Sequence, residues 1–167
     1  DPRVLDDALE HLKNGKNLLT QRGKDDTILL QYHDMLDKNG RIDPDTLAIV
    51  SGRTITLNRF MYDDAEHLKR EYAALVKSGH FTKGTDYRNV IDHEMGHVLA
   101  KRDRAYAKRC EAAVLRLAEE SGESAPVFIR KSISIYAETP GELLAELFAK
   151  ANGSDPGIST IILKEAE

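Results

Sequence analysis

The sequence has little cysteine, no long apolar run and no excess of positive charge. Its 167 residues include one cysteine, Cys110, which excludes an intrachain disulfide and a zinc site built on paired cysteines. Cys110 lies at helical spacing with apolar neighbours, which predicts a small core residue rather than a nucleophile. No run approaches the ~18 apolar residues of a membrane helix. The formal net charge of −4 gives no case for nucleic-acid binding.

The start of the chain and its length bear on its organisation. The segment Asp1 to Val4 contains neither a methionine nor the apolar core of a signal peptide. We therefore expect a piece of a longer protein, and its localisation and oligomeric state stay open. The length suits one domain over residues 1–167. Within it we expect a helical N-terminal part over 1–40, a catalytic core over 41–152 and a tail over 153–167.

Hydrophobic spacing predicts an α+β fold, with a small mixed sheet packed beside several helices. A β-hairpin is expected from the β-branched segments Thr46–Val50 and Thr54–Leu57. An extended segment is expected over 127–135, and the histidines at positions 11 and 33 are expected on the surface. Helices are expected around residues 4–12, 28–36, 63–77, 87–101, 103–120 and 140–151.

The pentapeptide His93-Glu94-Met95-Gly96-His97 is the strongest chemical signal in the chain. On a helix, residues four apart lie on one face, so both imidazoles can reach a single ion. Glu94 adjoins the first histidine and can act on a metal-activated water instead of binding the metal. Apolar residues surround the motif, and buried histidines are costly unless they are paired or bound to a metal.

Such a zinc site needs a third protein ligand, and two segments compete for that role. Asp103 follows the motif at the spacing of a metzincin ligand, but Ala100 stands at the position of the metzincin glycine and no methionine lies downstream. Asp103 is more simply the N-cap of the next helix. Glu142 and Glu146 share a face of a later helix that Thr139 and Pro140 are expected to begin. Taken alone, each residue has an explanation that is as good as a role at a metal site. Glu142 would form a capping box, and Glu146 would lie on an exposed helix face.

Together the two segments resemble the lethal-factor-like zincins. This family includes lethal-factor toxins, Pro-Pro endopeptidases and peptidase-like domains of phage minor head proteins. The resemblance extends from Ile55 to about Ala151 and rests on a His-Glu-x-Gly-His helix followed by a Tyr-Ala segment and a Glu-Leu-Leu-Ala-Glu-Leu-Phe-Ala helix.

The resemblance implies a zincin-like fold and a role for each matching residue. It implies that Zn²⁺ is bound by His93, His97 and Glu142, with Glu94 as the general base. Glu146 corresponds to the hydrogen-bond partner of a ligand histidine. Tyr136 corresponds to the tyrosine that stabilises the transition state, although it lies one residue closer to the third ligand than is usual in the family. A tyrosine packed on the core at the end of a strand is the alternative for that position.

The expected function is therefore zinc-dependent endopeptidase activity on a peptide or protein substrate. Two alternatives stay open: a non-catalytic structural or interaction domain of a phage head protein, and the effector domain of a bacterial toxin. If Thr54–Leu57 forms the edge of the sheet beside the cleft, an extended substrate can add to it through backbone hydrogen bonds. The sequence does not indicate which peptide is cut.

Overall fold

A computed structural model describes all 167 residues and shows a mixed α+β fold. The chain forms a three-stranded sheet and eight α-helices, and a short 3₁₀ turn, Tyr136–Glu138, precedes the seventh helix. The strands are β1 Leu29–His33, β2 Ala48–Ser51 and β3 Thr54–Asn58. The helices are α1 Pro2–Gln21, α2 Arg59–Tyr62, α3 Ala65–Lys77, α4 Asn89–Arg102, α5 Arg104–Glu120, α6 Ala125–Ser132, α7 Leu143–Ala151 and α8 Gly157–Glu165. None of these helices has both the length and the apolar character needed to cross a bilayer.

The sheet confirms the predicted hairpin but corrects the prediction about its edge. The strand order is β1-β3-β2, with β1 parallel and β2 antiparallel to β3. β3 is therefore the central strand, and Ile55 and Leu57 are fully buried. β2 is the edge strand that lies beside α4, so the proposed edge at Thr54–Leu57 is wrong.

The predicted helix around residues 28–36 is also wrong, because this segment contains strand β1. Leu30 and Tyr32 are half-buried, whereas the residues between and beside them are exposed, which is the two-residue period of a strand. Leu29 and Leu36, which the helical pattern needed on a buried face, are 57% and 62% exposed. Pairing with β3 satisfies the backbone of this segment, so tertiary contact outweighs the local pattern.

Two boundaries near the second motif differ from the expectations. The segment predicted to be extended instead forms α6, with a proline in its first turn and Phe128 buried. α7 begins at Leu143, because Gly141 adopts a φ of +88° that interrupts any helix starting at Pro140. Glu142 is the N-cap residue of α7, so the predicted cap at Thr139 is wrong.

The C-terminal tail packs back on the fold as α8, where Ile162 is fully buried. Asp103 caps α5 as expected, and its carboxylate accepts a hydrogen bond from the amide of Tyr106 at 3.2 Å. Cys110 is buried, in agreement with its expected place in the core. The second half of the chain therefore folds as five helices around a shared core.

Helix α4 runs through the centre of the molecule, between α1 and α7, with β2 alongside. His11 of α1 was expected on the surface, but its ring bonds the buried Asp92 of α4, with Nδ1 2.7 Å from Oδ2. Asn89 donates to the same carboxylate oxygen at 2.8 Å. Because Asp92 is only 2% exposed, its charge needs these partners, and they tie α1 to the central helix.

The His11 contact predicts a pH-dependent stability. The hydrogen bond with Asp92 raises the pKa of His11 above its usual value, although burial opposes the shift. A raised folded-state pKa stabilises the protein below the unfolded value near 6.5, and this stability is lost as the pH rises through the folded value. Glutamine keeps a hydrogen-bond donor but does not titrate. We therefore expect His11→Gln to lower the free energy of unfolding by about 1 kcal/mol more at pH 5.5 than at pH 8.5. Urea unfolding at the two pH values measures this difference, and an equal loss at both would contradict it.

Candidate metal centre

The centre lies where α4 crosses α7, and the crossing depends on Gly96. A Cβ added at Gly96 would lie 2.5 Å from the Cα of Ala145 and 2.9 Å from the carbonyl oxygen of Leu144. Backbone atoms cannot move aside as the end of a side chain can, so only glycine allows this approach. The close contact brings the face of α4 that carries both motif histidines against the start of α7.

Three side chains converge at this crossing: His93, His97 and Glu142 each direct one ligand atom into a group whose members lie within 4.8 Å of one another. The Nε2 atoms of the two histidines lie 3.2 and 3.1 Å from Oε2 of Glu142. Ligands bound tetrahedrally to zinc at 2.0–2.1 Å are about 3.3 Å apart, so these separations match two edges of such a tetrahedron.

The bonding of Glu142 fits a cation at this point. Its Oε2 atom is buried and makes no hydrogen bond of regular geometry, although it lies 3.2 and 3.1 Å from the two imidazole Nε2 atoms. Burial would raise the pKa of Glu142, but the two imidazoles lower it to about 2, so the carboxylate is ionised. A metal ion between the three groups would give this buried, ionised oxygen a direct partner. The donor set of two imidazoles and one carboxylate is one that zinc accepts.

Glu146 lies one turn after Glu142 and is 2% exposed. Its Oε1 atom is 2.9 Å from Nδ1 of His93, while Oε2 accepts hydrogen bonds from the amide of Thr82 at 3.1 Å and the hydroxyl of Ser134 at 2.7 Å. The contact at Nδ1 leaves Nε2 of His93 facing Glu142. Burial opposes a charged ring, but the two carboxylates raise the pKa of His93 to about 10.

Glu94 is buried, yet its carboxylate forms no hydrogen bond within the protein and borders the cleft. Burial raises its pKa, and the neighbouring imidazoles of His93 and His97 oppose that rise. A carboxylate that borders a cleft without a protein partner is free to exchange a proton with a molecule bound there. It is not one of the three groups that converge on the candidate metal position.

Tyr136 lies in the 3₁₀ turn before α7, so the alternative of a strand-end tyrosine is wrong. Its ring stacks on His93 with centroids 5.7 Å apart and an interplanar angle of 10°. His80 also stacks on the tyrosine, with ring centroids 4.8 Å apart, and the amide of Tyr136 donates to the carbonyl oxygen of His80 at 3.0 Å. Burial and the charge of Glu142 raise the pKa of Tyr136 to about 12, so its hydroxyl remains a donor at neutral pH.

A cleft extends from the metal position along β2 in two connected parts. The part beside His97 is bordered by Ala48, Ile49 and Val50 of the edge strand. The deeper part has a volume of about 460 Å³ and a largely apolar wall that includes Leu75 and Phe81. Both parts are bordered by His93, Glu94 and Tyr136. The cleft therefore offers an edge strand and an apolar cavity on either side of the candidate chemistry.

The structure brings together the six residues that the sequence analysis selected and leaves out Asp103, which pairs with Lys24 at 3.6 Å. The selected residues are His93, Glu94, His97, Tyr136, Glu142 and Glu146. Sequence reasoning missed Thr82 and Ser134. A backbone amide and a serine hydroxyl have no motif of their own, so no local signal marks them.

The Gly96 contact predicts a large packing effect. We expect Gly96→Ala to destabilise the protein by about 1–3 kcal/mol, since the gain in helix propensity is smaller than the cost of overpacking. Gly15→Ala is the matched control, because its new methyl group would meet the flexible side chain of Met95 rather than backbone. Denaturant unfolding measures both. If Gly96→Ala is no more destabilising than Gly15→Ala, the close approach is not a constraint.

Comparisons with models of protein families, with curated proteins and with solved structures found no match to this chain.

Proposed function

We propose that this chain is a zinc-dependent endopeptidase with a zincin-like arrangement, as the resemblance to lethal-factor-like zincins implies. One observation carries the proposal: His93, His97 and the ionised Glu142 converge on a point beside the free carboxylate of Glu94. A site with a purely structural metal has no need of an unbonded carboxylate beside an open cleft. That combination favours catalysis over the structural alternative.

His93, His97 and Glu142 would hold a zinc ion, which would supply a Lewis acid and a water of lowered pKa for the proposed reaction. Glu94 accepts the proton of the attacking water and delivers it to the leaving amine. Tyr136 donates a hydrogen bond to the oxygen of the scissile carbonyl as negative charge develops there. Glu146 accepts a hydrogen bond from Nδ1 of His93 and orients the ring so that its Nε2 is the atom that would bind the metal.

The edge strand β2 is the proposed binding surface for the substrate backbone. The amide of Asn58 donates to the carbonyl of Leu47 at 3.0 Å, which sets the alternation of the β2–β3 ladder. Ile49 then bonds β3, while the amide and carbonyl groups of Ala48 and Val50 point to the free edge. An extended peptide can pair with these groups while its scissile bond lies beside Glu94.

This arrangement predicts a specific effect of Val50→Pro. Proline removes one outward amide and is tolerated on an edge strand, so the fold and the metal content are expected to persist. We expect kcat/KM to fall about 2- to 10-fold relative to Val50→Ala, which loses the side chain but keeps the amide. Steady-state cleavage of one peptide by both variants provides the comparison. Equal values would show that substrate does not pair at this position.

The proposal is tested by cleavage profiling on a peptide library with and without a metal chelator. We expect cuts that chelation abolishes and added zinc restores. The profile also shows whether large apolar side chains beside the cut are preferred, as the wall of the deeper cavity suggests. No chelator-sensitive cut would contradict the endopeptidase proposal and favour a structural domain of a phage head protein.

A further inference from the structure

A second cavity, of about 540 Å³, lies behind the loop that borders the metal centre. The two cavities are separated by a pair of segments that are joined by backbone hydrogen bonds from Ile135 to Gly79 and from Tyr136 to His80. Gly79 and Ile135 border the second cavity, whereas His80 and Tyr136 border the first. The second cavity is therefore a distinct site that shares one wall with the candidate active site.

The wall of this cavity is strongly basic. Five of its bordering residues are cationic and one, Asp155, is acidic. Arg130 is neutralised by Glu138 at 2.5 and 3.0 Å, and Lys131 is paired at 2.6 Å with a glutamate outside the cavity. The other three are Lys77, Lys83 and Lys150, and the first two form no ion pair. These three lysines border the cavity together with one aspartate, which leaves an excess of positive charge.

Lys150 is the buried cation among these three lysines. Its side chain is only 7% exposed, and its nearest carboxylate, on Asp155, is 3.8 Å away. Its one hydrogen bond, at 3.3 Å, goes to the carbonyl of Lys83. An ammonium group has three donors, so this buried charge retains unused donors beside the cavity.

We propose that this cavity binds a phosphate-type oxyanion, either free phosphate or the phosphate group of a small molecule. Lys150 supplies a buried ammonium at the base, and Lys77 and Lys83 supply exposed ones at the rim. Tetrahedral oxyanions offer several acceptors and enough charge to use all three. This site does not depend on the endopeptidase proposal. Ser134 nevertheless connects the second cavity to the metal centre, because it borders the cavity and donates a hydrogen bond to Glu146.

Isothermal titration calorimetry with inorganic phosphate, at constant ionic strength, tests the site. We expect saturable binding to the wild-type protein and to Lys108→Gln, an exposed control on α5. Lys150→Met and Lys83→Gln are each expected to weaken the binding at least about tenfold. A parallel titration with a phosphomonoester separates the two sources: tighter binding than phosphate identifies a phosphorylated molecule, and weaker binding identifies the free ion.

Two results would overturn the proposal: no saturable binding up to about 20 mM phosphate, or equal affinity in the wild-type protein and the lysine variants. The second result would show that phosphate binds elsewhere on the protein. If Lys150→Met does not fold, the exposed positions decide the question, because Lys77→Gln and Lys83→Gln remove no buried group. Circular dichroism verifies the fold of every variant before titration.

Discussion

Glu94→Gln is expected to abolish most peptide hydrolysis while the protein keeps its zinc. Glutamine has nearly the same shape but cannot accept the proton of the attacking water, and general base catalysis contributes about 10²–10⁴ in rate. The three groups that converge on the metal position do not include Glu94, so the metal content is expected to stay unchanged. The measurements are kcat/KM on a peptide from the library profile and the zinc content by elemental analysis.

The matched control for this variant is Glu119→Gln, which makes the same chemical change on the exposed face of α5. It is expected to retain wild-type activity and zinc. Wild-type kcat/KM in Glu94→Gln would show that another group is the base. Loss of zinc in Glu94→Gln would show that the carboxylate binds the metal, which contradicts its assigned role.

His97→Ala is expected to lose stoichiometric zinc and all zinc-dependent activity, because only two protein ligands remain. Glu146→Gln provides an informative contrast, since this residue contacts His93 rather than the metal position. Loss of such a partner typically costs 10–100-fold in metal affinity, so zinc is expected to bind more weakly but at the same site. Competition with a chromogenic chelator measures both affinities.

His33→Ala is the control for His97→Ala, because His33 is an exposed histidine on β1. It is expected to bind zinc as the wild-type protein does. Stoichiometric zinc in His97→Ala would rule out the proposed ligand set. An equal loss of affinity in Glu146→Gln and His97→Ala would remove the distinction between ligand and hydrogen-bond partner.

The sequence predicted the elements whose signal is local. α4 and α5 have long apolar patterns, and Asp103 provides a cap between them, so their existence was predictable. The hairpin of β2 and β3 likewise follows from β-branched residues around a short turn. The segment of β1 fits a helix as well as a strand, because the spacing of its five residues satisfies the period of either. Pairing with β3 determines that it forms a strand.

The features of the candidate site also fall into two groups, those with a local sequence signal and those that depend on tertiary structure. His93, Glu94 and His97 are recognisable because their residue types and spacing suit one helix face. Glu142 and Glu146 are recognisable as site residues only when the second motif is read together with the first. Three features depend on tertiary structure: the position of β2 at the edge, the amide of Thr82 beside Glu146, and the stacking of His80 on Tyr136. No local pattern encodes them, because each depends on which segments the fold brings together.

The central claim is that His93, His97 and Glu142 bind one zinc ion beside Glu94. An anomalous difference map, from crystals of the zinc-loaded protein measured at the zinc absorption edge, tests it most directly. We expect one strong peak roughly 2.0–2.2 Å from Nε2 of both histidines and from a carboxylate oxygen of Glu142. The absence of a peak at that position, or a peak bound by Glu94 in place of Glu142, would contradict it.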